Sequence, residues 1–185
     1  MFYTDTLAAP MQIKSFCPED GGKISGYASV FSITDSQGDV IEKGAFKESL
    51  KTFITQDHLP KMLWQHQAET PIGKWTCIRE DDYGLYVEGQ LLLSLPKGRE
   101  AYDMIKNKMV DGLSIGCRVV ESIKGEKAGE RLIKRVELVE ISLVTFAANQ
   151  CAKILSVKSL RTYQQELLAA MRRAKMILAS PPVPA

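Results

Sequence analysis

Ser114 stands midway between Gly112 and Gly116, in a stretch that otherwise reads as a buried strand. Glycine carries no side chain, so backbone can pass close on either side and an extended peptide could reach the hydroxyl. A serine hydroxyl is a weak nucleophile until a base takes its proton, and histidine is the usual base. The chain has two histidines, His58 and His66, and both precede Ser114. The pattern G-x-S-x-G also matches the nucleophile elbow of α/β-hydrolases. That elbow needs a helix after the serine and a histidine later in the chain. Here Cys117–Ile123 reads as strand and no histidine follows. A nucleophilic Ser114 therefore needs another scaffold. The plainer alternative is a bulge or tight packing point between two glycines.

His66 is the better base. It falls on a predicted strand, Lys61–His66, on the face shared by Met62 and Trp64. His58 falls in the loop Asp57-His58-Leu59-Pro60. The competing reading of His66 is a core histidine satisfied by backbone. A triad also needs a carboxylate to fix the imidazole tautomer. Glu140 lies on the strand Val136–Thr145 with apolar residues on both faces, which predicts a shielded carboxylate. Such a group is costly unless paired or hydrogen-bonded. An ion pair with Arg118 or Arg131 is the structural alternative, and Glu137 is the reserve acid. The chain order His, Ser, acid differs from the chymotrypsin, subtilisin and α/β-hydrolase orders.

The elements that must position these groups are mostly strands. Alternation predicts strands at Met11–Cys17, Lys23–Ile33, Lys61–His66, Ile72–Ile78, Leu85–Leu93, Leu113–Ile123, Arg131–Thr145 and Ala152–Val157. Helices are predicted over Gly44–Phe53 and Lys97–Met109, the second opening just after Pro96. Asp35–Asp39 is a turn cluster. A calcium loop there is disfavoured, because the other ligand positions of such a loop are missing. This sums to a mainly β, α+β chain: a closed, mostly antiparallel β-barrel of about seven strands with flanking helices. Residues 1–10 read as a flexible leader and 11–157 as the barrel domain. Residues 158–185 read as an amphipathic helix, Leu160, Tyr163, Leu167 and Met171 on one face, with a Pro-rich tail.

With 185 residues, the chain suits one domain with a core. A net charge of +2 gives no reason to expect a nucleic acid or membrane partner. The four cysteines lack C-x-x-C or zinc-like spacing, and no metal or cofactor is expected. No signal peptide or long apolar run is apparent, so a reducing cytoplasm is the default compartment.

The ordered set of motifs carries a likeness. Gly26-Tyr27-Ala28-Ser29-Val30-Phe31, Asp35–Ile41, Gly44-Ala45-Phe46 and Leu63-Trp64-Gln65-His66 come first. Pro71-Ile72-Gly73, Val87-Glu88-Gly89, Gly112–Gly116 and Glu137–Thr145 follow. Over residues 12–157 the chain resembles the prohead maturation proteases of tailed bacteriophages, which are similar to the herpesvirus assemblin serine proteases. The resemblance implies a serine endopeptidase with a β-barrel core wrapped by helices. It implies Ser114 as nucleophile, His66 as base and Glu140 as third member. The oxyanion would be held by backbone N–H near Ser114, that of Ile115 being the candidate. It further implies action in the host cytoplasm, inside the assembling prohead. The substrates would be scaffold or the delta segment of the major capsid protein, and the enzyme itself. Herpesvirus relatives work as dimers, which leaves a homodimer open. One departure is Ala147 in Phe146-Ala147-Ala148-Asn149, where the family usually has proline. Two other readings remain: a non-enzymatic β-barrel module for capsid assembly or scaffold binding, and a small-molecule esterase with a deep apolar pocket.

Overall fold

The computed structural model describes residues 5–9, 22–125, 127 and 129–147, with side chains from residue 22 onward. The strand predicted at 11–17, the one at 152–157 and the helix from 158 lie outside the described residues.

Eight strands and two helices make up this part: β1 (Asp5–Ala9), β2 (Lys23–Val30), β3 (Asp39–Ile41), α1 (Lys47–Gln56), β4 (Lys61–Trp64), β5 (Gln67–Glu80), β6 (Gly84–Leu91), α2 (Pro96–Lys106), β7 (Gly112–Lys124) and β8 (Arg131–Val144). The predicted hairpins form as long antiparallel pairs, β5 with β6 and β7 with β8. The turn between β5 and β6 is closed by Asp81, whose carboxylate accepts the N–H groups of Tyr83 and Gly84. Asp5–Ala9, read from sequence as part of a leader, is a strand along β7.

All strands among the described residues belong to one sheet, in the order β1-β7-β8-β4-β5-β6-β2, with β3 added to β8. The sheet is a curled half-barrel and does not close, which corrects the predicted closed barrel. Its ends, β1 and β2, share no ladder, although β2 lies close to both β7 and β1. Local alternation gives strands and inward faces, but whether the first and last strands meet depends on accumulated coiling. Register slips, among them those at Tyr27/Ser29, Trp75/Cys77 and Gly116/Cys117, add local twist to it.

Two pairings are parallel, β3 with β8 and β4 with β8. They put β8 in the middle of the sheet, with β7 on one side and β4 on the other. The concave side holds one apolar core, in which Phe46, Met62, Ile72, Leu85, Ile105, Leu113 and Ile115 are fully buried. Burying such side chains stabilises the fold by about 1.5–3 kcal/mol each. The helix α1 is tied to β8 by one hydroxyl. Ser49 Oγ donates to Val136 O at 2.9 Å and accepts from Leu138 N–H at 2.9 Å. That bond falls where the β7–β8 ladder slips, between Gly116↔Glu140 and Cys117↔Leu138. The Asp35–Asp39 turn is closed by side chains, as the plainer sequence reading has it. Asp35 Oδ1 accepts the N–H of Gln37 and of Asp39, while Arg131 grips Asp39 through two bonds of 2.7 Å. Burial holds the Asp35 carboxyl above its ordinary range.

Candidate active site

Three adjacent strands deliver three side chains to one place. Ser114 lies on β7, Glu140 on β8, and His66 just beyond the end of β4. His66 Nε2 is 2.8 Å from Ser114 Oγ. His66 Nδ1 is 2.6 Å from Glu140 Oε1. Ser114 and Glu140 are buried, at 1% and 7% exposure, while the His66 side chain keeps 28%.

The hydrogen-bond inventory assigns the protons. An ionised carboxylate only accepts, so the proton of a neutral imidazole belongs on Nδ1. Nε2 is then the acceptor, and it faces the serine O–H.

His66 is not on a strand face with Met62 and Trp64, as its spacing predicts. β4 ends at Trp64, which pairs with Gln67, so Gln65 and His66 form a two-residue hairpin loop. Their φ values are 50° and 60°, the left-handed pair of a type I′ turn. Neither residue is glycine, so the conformation costs energy that neighbours must offset. The offset comes from the end of β8. Gln65 N–H donates to Leu143 O at 2.9 Å, and the Gln65 side chain donates to Thr145 Oγ1 and accepts from Thr145 N–H. His66 N–H donates to Ser142 Oγ at 3.1 Å.

Ser142 escapes a search for nucleophile, base and acid. It is fully buried, directly opposite Ser114, and donates to Glu140 Oε2 at 2.6 Å. Its signal was present as a polar residue two positions from Glu140 on the same strand face.

The glycines flanking Ser114 serve the protein's own atoms. A Cβ on Gly116 would come within 2.3 Å of Glu140 Oε1, and one on Gly112 within 2.8 Å of Val144 O. Gly116 therefore reserves the volume that the carboxylate occupies. The other sequence candidates lie elsewhere. His58 follows the left-handed cap of α1 at Asp57 and rests on the Phe53 ring. It lines two clefts of about 640 and 520 Å³, neither of which is lined by Ser114, His66 or Glu140. Glu137 is exposed and bonded to Arg118 at 2.7 Å. Ile115 is fully buried within β7, opposite Leu7 and Ile141. No helix among the described residues is long and apolar enough to cross a membrane.

A hydroxyl, an imidazole and a carboxylate linked in that order form the constellation of a serine hydrolase. Comparison with known proteins identifies the kind. The chain belongs to the caudovirus prohead serine protease family, whose model matches residues 10–166. It is 39% identical over 140 residues to a prohead protease of Enterobacteria phage HK97, covering 75% of this chain and 61% of that protein. It thus spans less than two thirds of that relative's length. A prohead protease of Escherichia phage T5 is 30% identical over 165 residues, 88% of this chain and 74% of the other. A capsid polyprotein of Pseudomonas phage PAJU2 is 37% identical over 175 residues, 89% of this chain and 24% of the polyprotein. Among solved structures, the bacteriophage T4 capsid assembly protease superposes with a TM-score of 0.59 at 13% identity, over 75% of this chain and 94% of that one. At that identity the likeness is one of fold.

Proposed function

We propose that this chain is a serine endopeptidase of prohead maturation, with Ser114, His66 and Glu140 as its catalytic triad. The observation that carries the reading is the His66 ring, bonded at once to Ser114 Oγ and Glu140 Oε1. His66 Nε2 takes the serine proton as Oγ attacks a peptide carbonyl. Glu140 holds the imidazole in the required tautomer and stabilises the imidazolium that forms. The tetrahedral oxyanion is held by main-chain N–H next to the nucleophile, for which we propose Ile115. His66 then returns its proton to the leaving amine, and water, activated by the same ring, releases the acyl-enzyme.

The substrate we propose is an extended segment of capsid or scaffold protein, and of the enzyme itself. Relatives are named prohead protease and capsid polyprotein, which supports that class. The sheet geometry supports an extended chain. β1 already lies antiparallel on the outer edge of β7, with Ala8 opposite Ser114. A peptide in the same register would pair its main chain with residues 113–117 and bring a carbonyl near Oγ. The His66–Ser114 contact weighs against a purely non-enzymatic module, which has no use for that bond.

The test is co-expression with the phage's capsid and scaffold proteins, fragment ends being mapped by mass spectrometry. Cleavage is expected with the wild type and, for Ser114→Ala, a rate lower by roughly 10⁴-fold or more. Fragments appearing equally with Ser114→Ala would overturn the assignment.

A further inference from the structure

We infer that Ser142 is a positioning residue, a fourth member that holds the triad's acid and base in register. The inference rests on the reading of Ser114 as nucleophile and deepens it.

The argument begins with one proton. A serine hydroxyl has a single hydrogen to donate and lone pairs to accept with. Ser142 Oγ lies 2.6 Å from Glu140 Oε2, an atom that only accepts when ionised, so the hydrogen is committed there. The same oxygen lies 3.1 Å from the His66 main-chain nitrogen, which only donates. Both directions are therefore fixed.

The result is a closed ring of three hydrogen bonds. It runs from Ser142 to Glu140 Oε2, across the carboxylate to Oε1 and His66 Nδ1, and back from the His66 N–H to Ser142. One hydroxyl thus touches both the acid and the backbone of the base. It fixes the carboxylate's rotation, because Oε2 is anchored while Oε1 faces the ring. It also anchors the left-handed turn on which His66 is carried. Ser142 is fully buried, so water does not compete for these bonds. A shift of about 1 Å at a catalytic group can cost roughly 100-fold in rate.

The test uses the full chain and a fluorophosphonate probe, which forms a phosphorus–oxygen bond to an activated serine as fluoride leaves. The wild type is expected to be labelled at Ser114. For Ser142→Ala, the maximal labelling rate should fall roughly 10- to 100-fold while the probe concentration for half-maximal rate stays within about twofold. A residue serving stability alone would not produce that split. Ser142→Cys, nearly isosteric with a weaker donor, should fall between wild type and alanine. Thermal unfolding checks that each variant is folded, and if the alanine variant is not, the cysteine variant decides. A wild type that is not labelled at Ser114 would remove the nucleophile reading and this inference with it. A labelled wild type alongside folded variants reacting at the wild-type maximal rate would overturn Ser142's role alone.

Discussion

Ser114 and Ser142 sit opposite each other on neighbouring strands, and the same histidine is bonded to both. Ser114 Oγ meets the ring at Nε2, and Ser142 Oγ meets the main-chain N–H. Two side chains of identical chemistry thus have opposite assignments. One is bonded to the imidazole ring, and the other is enclosed by the Glu140 carboxylate and the turn that carries His66.

Gly116 is expected to be intolerant of any side chain. In Gly116→Ala the new methyl would meet the Glu140 carboxylate, a side-chain tip that His66 and Ser142 hold in place. Overpacking of this kind costs about 1–3 kcal/mol. The carboxylate is the group that must move, so activity should suffer more than folding. Thermal unfolding and peptide cleavage measured on the same preparation check this. A variant as active as wild type would show that Glu140 can orient His66 from a second position.

Removal of residues 1–9 should raise cleavage of added peptide. β1 holds the edge of β7 opposite Ser114, so it competes with an incoming strand for the same main-chain groups. The expected change is a lower KM with little change in kcat, read from steady-state kinetics on the truncated and full chains. An unaltered KM would put the substrate on another edge.

The Tyr27–Asp81 bond should give the fold a pH dependence at its alkaline end. Burial and the 2.7 Å bond to Asp81 push the Tyr27 hydroxyl from 10.0 up to about 12. Between those values the unfolded chain has released the proton that the native state keeps. Stability therefore falls as pH rises through this window and the contribution is gone above it. Burial also acts on Asp81, raising its carboxyl. The hydrogen bonds from Tyr27, Tyr83 and Gly84, with the nearby Arg79 charge, outweigh this and hold it below its ordinary 3.8. That part is present at neutral pH and lost in acid. Urea unfolding of wild type and Tyr27→Phe across pH 9–12 tests the alkaline limb, which should flatten in the variant. Parallel curves would remove the explanation.

Much of this was legible from local pattern, and the rest was not for identifiable reasons. Glu140 could be read as a shielded acid because its strand alternates and its neighbours are apolar. The β5–β6 and β7–β8 hairpins announced themselves through turn residues such as Asp81 and Gly84. His66 was placed on the wrong kind of element, because nothing in Trp64-Gln65-His66-Gln67 resembles the Asn-Gly signature of a type I′ turn. Its left-handed pair is held by atoms of Ser142, Leu143 and Thr145, far along the chain. β3 was hidden at the end of a turn cluster, sharing Asp39 with it, since three residues carry no periodicity and its partner is β8. The Gly112 and Gly116 spacing was read as room for substrate, whereas Gly116 makes room for an acid that only the fold brings there.

The parallel seam between β4 and β8 has a consequence during translation. Lys61–Trp64 pairs on one side with β5, which follows it at once, but its other side is filled only by Lys61↔Glu140 through Trp64↔Leu143, so His66 leaves the ribosome long before Glu140 does. Until residue 145 has emerged, the nascent chain has an alcohol and an imidazole with nothing to align them. If the proposed triad is the catalytic one, chain connectivity itself withholds proteolytic competence until β8 has been made.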